Sequence, residues 1–370
     1  MPASPTLRSA LPHLDELFAV GPHAGAHRVA VRAGVSIAVP LVVLWALGRT
    51  DPALYAAFGA FTSLYGRQHT HRPRLRLQFS AAACLVATVT LGTTVALSPQ
   101  RDWLVIPVVA LVGAGATFLS DALHWHPPGP LFAVFAVTAC ASVPADLGRV
   151  PVAFAVAAAS AGFALLIGVS GLAAPGARRL PPTPWRASFG ASAARPATRA
   201  AMVRFAVVVV VAGAIPTATG LGHPSWAMVS AVAAVSGGDA AARLVRAGHR
   251  ILGTVAGVAI AAVLLSLPLA PLATIAVVVL LQMAAELTVG RNYGITLVFV
   301  TPLAILMVEL AHRTNALVLL RDRGLETAIG VAVGVVATLT AHVAAAAPRL
   351  PGRHGTRFGA TADGDTARRR

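Results

Sequence analysis

The chain has 370 residues, of which 56% are hydrophobic and 11% charged, and its mean hydropathy is +0.75. So little polar surface cannot coat a folded core in water, which excludes a soluble globular protein. The formal charge of +16 comes from arginine alone, because the sequence contains no lysine. The arginines are spread between apolar runs and form no single polar stripe, so a nucleic-acid partner is excluded as well.

Residues 1–28 hold Asp15, Glu16 and scattered prolines with no continuous apolar stretch, which does not fit a cleavable signal peptide. Leu7, Leu11, Leu14 and Phe18 mark at most one face of an interfacial helix. Apolar runs follow at 29–47, 52–65, 77–97, 103–119, 131–143 and 150–172. After a Pro-, Arg- and Ser-rich stretch come further runs at 200–218, 224–236, 251–267, 269–287, 293–310 and 325–346. Since about 20 apolar residues cross the hydrocarbon core, these runs predict an all-α polytopic membrane protein with about twelve transmembrane helices. The expected organisation is a cytoplasmic segment at 1–28, a first six-helix half at 29–174 and a cytoplasmic linker at 175–198. A second six-helix half at 199–347 and a disordered cytoplasmic tail at 348–370 complete it. Cys84 and Cys140 lie inside apolar runs and read as small hydrophobes, with neither a disulfide framework nor a zinc pattern.

The second run of each half is short for a span, and the arginines decide how to read it. If every run crosses and the N-terminus is cytoplasmic, Arg28, Arg32, Arg67, Arg72, Arg74, Arg76, Arg195, Arg199, Arg204, Arg243, Arg246, Arg250 and Arg291 fall inside. Arg49, Arg101, Arg149, Arg313, Arg321 and Arg323 are left outside. That bias matches the positive-inside rule and is spoiled if the short runs do not cross. Both termini are therefore expected in the cytoplasm, with the chain in the inner or plasma membrane.

The halves read as repeats. A shift of 172 positions brings Arg32 onto Arg204, Pro52 onto Pro224, Gly66 onto Gly238 and Arg74 onto Arg246. An even number of spans per half makes the repeats parallel, with the symmetry axis along the membrane normal and a pathway expected between the halves.

Within the second half, His223-Pro224-Ser225-Trp226-Ala227-Met228 is followed by Arg246 and by Arg250-Ile251-Leu252-Gly253-Thr254 with Gly257. Further on stand Asn292-Tyr293-Gly294, Phe299-Val300-Thr301-Pro302 and Arg323-Gly324-Leu325-Glu326-Thr327-Ala328-Ile329-Gly330. This series resembles the fusaric acid resistance family of inner-membrane proteins from about residue 199 to 334, and more loosely in the first half. The resemblance implies an exporter of aromatic carboxylic acids or similar organic anions, related to plant anion channels of the malate type. Many members of that family carry a large cytoplasmic domain, whereas the linker here is about twenty residues; Glu326 stands where the family pattern usually has aspartate.

An organic anion passing through a medium of low dielectric needs a cation beside it. Arg32 and Arg204, at equivalent places a turn or so inside the first span of each half, are the leading substrate-binding candidates, with Arg250 as a third; snorkelling to the headgroups is the alternative. Tyr55 and Trp226, near the outer ends of the short runs, offer aromatic faces to an aromatic substrate or anchor the outer interface. His223 reads as a proton relay at the outer mouth or as a solvated loop residue. Glu286, Glu309 and Glu326 are carboxylates inside apolar runs and form the expected proton-coupling set. The alternative to proton coupling is a structural ion pair, of Glu326 with Arg323 at i−3 and likewise of Glu286 with Arg291.

Asp121, His124 and His126, like His69 and His71, lack a further clustered ligand, so no metal, cofactor or catalytic residue is expected, and a Walker motif is impossible without lysine. Gly253 with Gly257, and Gly330 with Gly334, are small faces for close helix approach. The function expected is a proton-driven secondary exporter, not an enzyme. A passive anion channel and a non-transporting scaffold in envelope assembly are the alternatives, and the expected partners are the lipid bilayer, the organic anion, and a second copy or an envelope protein.

Overall fold

The computed structural model describes residues 14–23, 25–67, 71–170, 187–312 and 315–346. A short helix, α1 (Leu14–Phe18), precedes the first half. That half contains α2 (Ala26–Ala46), α3 (Ala53–Ala60, continued by a 3-10 turn at Phe61–Leu64), α4 (His71–Val95), α5 (Arg101–Ala122), α6 (Leu131–Ser142) and α7 (Arg149–Val169). After α8 (Phe189–Ala194) the second half contains α9 (Pro196–Thr219), α10 (Pro224–Val235), α11 (Ala240–Ser266), α12 (Pro271–Thr288), α13 (Tyr293–Ala311) and α14 (Ala316–Ala346).

Local chemistry sets the helix ends. Proline opens α9, α10 and α12, where a missing N–H costs nothing. Asp239 and Asn292 cap α11 and α13 by accepting from Ala242 N and Ile295 N. Gly220, at φ 72°, closes α9 in the left-handed region.

Among the described residues, nine helices are long and apolar enough to cross a membrane, and three apolar helices are shorter: α3 with its 3-10 turn, α6 and α10. The expected run of about twelve membrane helices is thus made up, among the described residues, of nine of full spanning length and three shorter ones. The twelve residues of α10 rise only about 18 Å at 1.5 Å per residue, against about 30 Å of hydrocarbon. The run at 131–143, in the fifth place of the first half, is short as well and forms the twelve residues of α6. Short helices survive at this depth because protein surrounds them: every residue of α3 and of α10 is buried.

The repeat survives as helix pairing. α4 packs on α6 as α11 packs on α13, and α3 on α7 as α10 on α14. Across the halves, α2 pairs with α12 as α9 pairs with α5. Glycine permits the tightest crossings, since a Cβ on Gly92 would overlap Val137 of α6 and one on Gly253 would overlap Gly294 of α13.

Where α5 and α6 of the first half meet α9 and α10 of the second, the packing is apolar. Val105, Ile106 and Val109 of α5 and Val134 of α6 interdigitate with Val208 and Val209 of α9 and with Met228 and Val232 of α10. Beside the α2–α12 contact polar residues do meet across the halves, Glu286 of the second pairing with Arg67 of the first, while Arg250, Arg323 and Glu326 lie within the second half. The expected linker at 175–198 is described only from residue 187. Its described end holds α8 and the first turn of α9, tied to α5 by Arg195 on Asp121 and by Thr198 Oγ1 donating to Asp121 at 2.7 Å. The expected disordered tail at 348–370, the linker stretch 175–186, and Leu7, Leu11, His69 and Arg313 lie outside the described residues.

Candidate functional site

The largest concentration of buried charge lies inside the second half, on α10, α11, α13 and α14. Its starting point is the N-terminus of α10, a helix shielded from lipid over its whole length. The free N–H groups there need an acceptor, and Glu326 of α14 supplies one: its Oε1 accepts from His223 N at 2.8 Å. His223 Nδ1 lies 3.0 Å from Asp322 Oδ2, and Asp322 Oδ1 accepts from Arg321 at 2.8 Å. His223 therefore sits half-buried as the N-cap of α10, stacked on Trp226 with ring centroids 4.9 Å apart, and not free in a loop.

Next along the string is Arg323, 1% exposed, with its guanidinium carbon 5.1 Å from the centre of the Trp226 ring. The expected pair between Arg323 and Glu326 does not form. The side chain lies along Trp226, the Glu326 carboxylate turns to the α10 N-terminus, and Arg323 Nε and Nη1 and Glu326 Oε2 have no partner among the described residues.

Arg250 of α11, 3% exposed, continues the string and lies within electrostatic range of Arg323. Its Nε and Nη2 donate to Ser230 Oγ at 3.3 and 3.2 Å, and its Nη1 donates to Tyr293 Oη at 3.3 Å. Ser230 in turn donates to Thr327 Oγ1 at 3.5 Å. On the far side of Tyr293, Arg246 stacks at 4.0 Å from the ring centre. Beyond it a cavity of about 340 Å³ opens, lined in part by Glu16, Arg246, His249, Arg291 and Tyr293.

The α1 segment lies across that opening. Leu17 O accepts from His249 Nε2 at 2.8 Å and from Asn292 Nδ2 at 3.1 Å, and Gly21 N donates to Arg291 O at 2.9 Å. Arg291 Nε donates back to Gly21 O at 3.1 Å, so the expected pairing of Arg291 with Glu286 is replaced by a backbone tie.

A continuous series thus runs from cavity to α10 N-terminus: Arg246, Tyr293, Arg250, Arg323, Trp226 and the carboxylates. Among the described residues no carboxylate comes within ion-pair distance of Arg250 or Arg323. Two buried guanidinium groups near one another, bonded only to neutral oxygens or to nothing, leave an uncompensated charge, which costs several kcal/mol in such surroundings. An anion placed between them removes that cost and gains charge-assisted hydrogen bonds.

The other sequence candidates are placed apart from this string. Arg32 lies at the α2 end of the first half, its Nη2 donating to Ser63 O at 3.3 Å. Glu286 of α12 reaches into the same first-half cluster and pairs with Arg67, while its Oε1 accepts from Gln282 at 3.1 Å. Arg204 stands on α9, with Arg243 as its charged neighbour. Tyr55 and Trp226 are 5% and 3% exposed, so neither anchors an interface; only Trp226 touches the string. Glu309 lines a separate cavity of about 480 Å³ with Asp51 and His312. Asp121 is held by Arg195 and Thr198, away from any cluster of ligands.

Hydropathy missed Arg323 and Asp322 as site residues because the apolar run starts at position 325, whereas α14 begins at Ala316. A charged block read as loop is helix. Ser230 carried no signal at all, and Tyr293 was visible only as part of a motif. Arg250 was visible as a motif residue; the repeat gave no support, since the 172-residue shift places it on Gln78, which bonds to Tyr65 O at 3.1 Å.

Residues 210–337 match the family described as Fusaric acid resistance protein-like. A stretch of 136 residues is 27% identical to the protein named Uncharacterized membrane protein YvaC of Bacillus subtilis (strain 168), covering 37% of this chain and 21% of that protein. The likeness therefore spans about a fifth of that relative's own length. No solved structure matches the chain. The string from Arg246 to Glu326 falls wholly within the matched residues, and the chain is a polytopic membrane protein whose second half is similar to the fusaric acid resistance protein-like family.

Proposed function

We propose that the protein is a secondary exporter of organic anions, aromatic carboxylic acids in the first place, and that the anion passes through the second half along Arg246, Tyr293, Arg250 and Arg323. The observation that carries this reading is the pair Arg250 and Arg323, buried at 3% and 1% exposure with no carboxylate partner among the described residues. Tyr293 and Trp226 flank the two guanidinium groups, which suits an aromatic ring bearing a carboxylate. Glu326, with one oxygen unpartnered, is the group at hand to carry a proton in exchange, and His223 links it to the far side. The positive-inside bias of the arginines supports a cytoplasmic position for the Arg246 cavity, as export requires.

Counterflow in proteoliposomes loaded with 4-hydroxybenzoate tests this. Labelled substrate should accumulate with the wild-type chain and fail to do so with Arg250→Gln. Transport that persists unchanged in Arg250→Gln would sink the pathway. Export that ignores collapse of the pH gradient, or currents with single-channel steps, would replace proton coupling by passive conduction.

A further inference from the structure

Asp322 and Glu326 stand four residues apart on α14, which puts both carboxylates on one face of the helix. His223 joins them from the start of α10, 99 residues before Asp322 in the chain. Each of the three offers one donor atom, a ring nitrogen or a carboxylate oxygen, and these atoms lie within 4.8 Å of one another. Asp322 and Glu326 are 0% exposed, and the His223 side chain 17%. The His223 ring lies flat on Trp226, with 13° between the planes, and its Nδ1 is held 3.0 Å from Asp322 Oδ2. Gly222 lets the chain come this close, since a Cβ there would fall 2.9 Å from the same Asp322 oxygen.

The three side chains do not use up one another's bonding capacity. Asp322 Oδ1 accepts from Arg321, a side chain 59% exposed that can turn outward to water. Glu326 Oε1 accepts from His223 N, whereas Oε2 is buried with no partner among the described residues. A buried carboxylate oxygen left without a proton or a cation carries its desolvation cost uncompensated. Arg323 does not supply the cation, because it lies along Trp226 and comes within ion-pair distance of neither carboxylate. One imidazole nitrogen and two carboxylate oxygens are a set of three protein ligands that suits Zn²⁺ and leaves a fourth position open. The imidazole disfavours Mg²⁺ and Ca²⁺, which take oxygen ligands. Metal–ligand bonds of about 2.0–2.2 Å put neighbouring donors about 3–3.5 Å apart. The spacing of His223 and Asp322 already fits, and a small rotation of the Glu326 side chain completes the set.

We infer that His223, Asp322 and Glu326 form a binding site for a divalent transition-metal ion of the Zn²⁺ type, which ties the start of α10 to α14. The ion takes the place of the hydrogen bond between His223 and Asp322 and satisfies the free side of Glu326. In the transport reading that free oxygen carries a proton, so a bound ion and the proton exclude one another. The site itself rests on the cluster and not on transport.

Calorimetric titration of zinc chloride into the full chain, free of any affinity tag and in neutral detergent, tests the inference. The wild type should bind Zn²⁺ and melt at a higher temperature with it, and Mg²⁺ in roughly hundredfold excess should not displace it. His223→Ala removes the one nitrogen donor of the set and should weaken binding by about 100-fold or more, beyond the 10- to 100-fold typical of a lost outer-shell partner. Co²⁺ in place of Zn²⁺ should give visible absorption bands that His223→Ala lacks. The exposed pair His23 and His27, with ring nitrogens 3.2 Å apart, is the rival site on this chain, so replacing both by alanine should leave the wild-type isotherm unchanged. Equal Zn²⁺ binding by wild type and His223→Ala overturns the inference, as does loss of binding in the His23 and His27 variant, or a wild type that binds no Zn²⁺. Where His223→Ala does not fold, Asp322→Asn, which keeps the size of its side chain, decides by the same comparison. Every readout is binding and none is flux, so failure here leaves the transport reading standing, and a chain that transports no anion can still bind the ion.

Discussion

Replacing Arg323 by methionine should make the protein more stable and less active, and the sign of the first effect follows from its surroundings. The guanidinium is 1% exposed, two of its nitrogens have no partner, and no carboxylate lies within ion-pair distance among the described residues. Glu326 and Tyr293 attract it and Arg250 repels it. What it gains is the face of Trp226 at 5.1 Å, about 1–2 kcal/mol for a desolvated cation on an aromatic ring. Against this stands the cost of holding the charge out of water, several kcal/mol per ion even after relaxation. Methionine keeps the length and apolar contact of the side chain and removes that cost, so a net stabilisation of about 1–4 kcal/mol is expected. Losing a charged hydrogen bond to the anion, about 1.5–3 kcal/mol, should lower its apparent affinity by roughly 10- to 150-fold. The assays are thermal melting of the purified chain and substrate-dependent counterflow on the same preparation. A variant that melts well below the wild type would mean that Arg323 is held by a structural partner, and a stable variant with wild-type flux would remove it from the pathway.

Glu286→Gln should destabilise the first half by about 3–5 kcal/mol and more than Arg67→Gln does, because the former strands several cations while the latter leaves Glu286 beside Arg32. Additive melting shifts in the double variant would deny the pair. Gly330→Val should abolish the packing of α14 on α10, costing at least about 3 kcal/mol, since even a Cβ there overlaps the Ala227 carbonyl; wild-type expression and melting would contradict this. Asn292→Ala should cost about 1–2 kcal/mol by removing the α13 cap and two bonds to Leu17 O and Ala19 O. Limited proteolysis near residues 14–23 should then speed up, and an unchanged cleavage rate would show that the α1 segment is held by other contacts. Burial works to raise the pKa of Asp51, but bonding to Arg49 and the charges of Arg149 and Arg49 outweigh it and hold the carboxyl below its usual value. That contribution is present at neutral pH and is lost as pH falls through the lowered value, so Asp51→Asn should flatten the acid limb of the stability curve. An acid limb of the same depth in the variant would refute the role of the pair.

The membrane class, the all-helical fold and the parallel repeat were legible in residue order alone. Each depends on a one-dimensional quantity, whether the length of an apolar run, the side on which arginines fall, or a shift that superposes Arg32 on Arg204 and Arg74 on Arg246. Arg250 and Trp226 were legible as candidates for the same reason, because a charge or a large ring in an apolar run stands out against its neighbours. The partners were not. Glu286 looked bound to Arg291 five residues away and is held by Arg67 of the other half; Glu326 looked paired with Arg323 and caps α10 instead. Sequence proximity overrates contacts along one helix, whereas a buried carboxylate takes whichever donors the packing of several helices brings to it. Tertiary structure alone also decided that α3 and α10 are short and enclosed, since hydropathy cannot tell a lipid-facing run from a protein-facing one. It also showed Arg250 and Arg323 buried near one another in the interior of the second half, where Gly330 and Gly253 let helices approach closely.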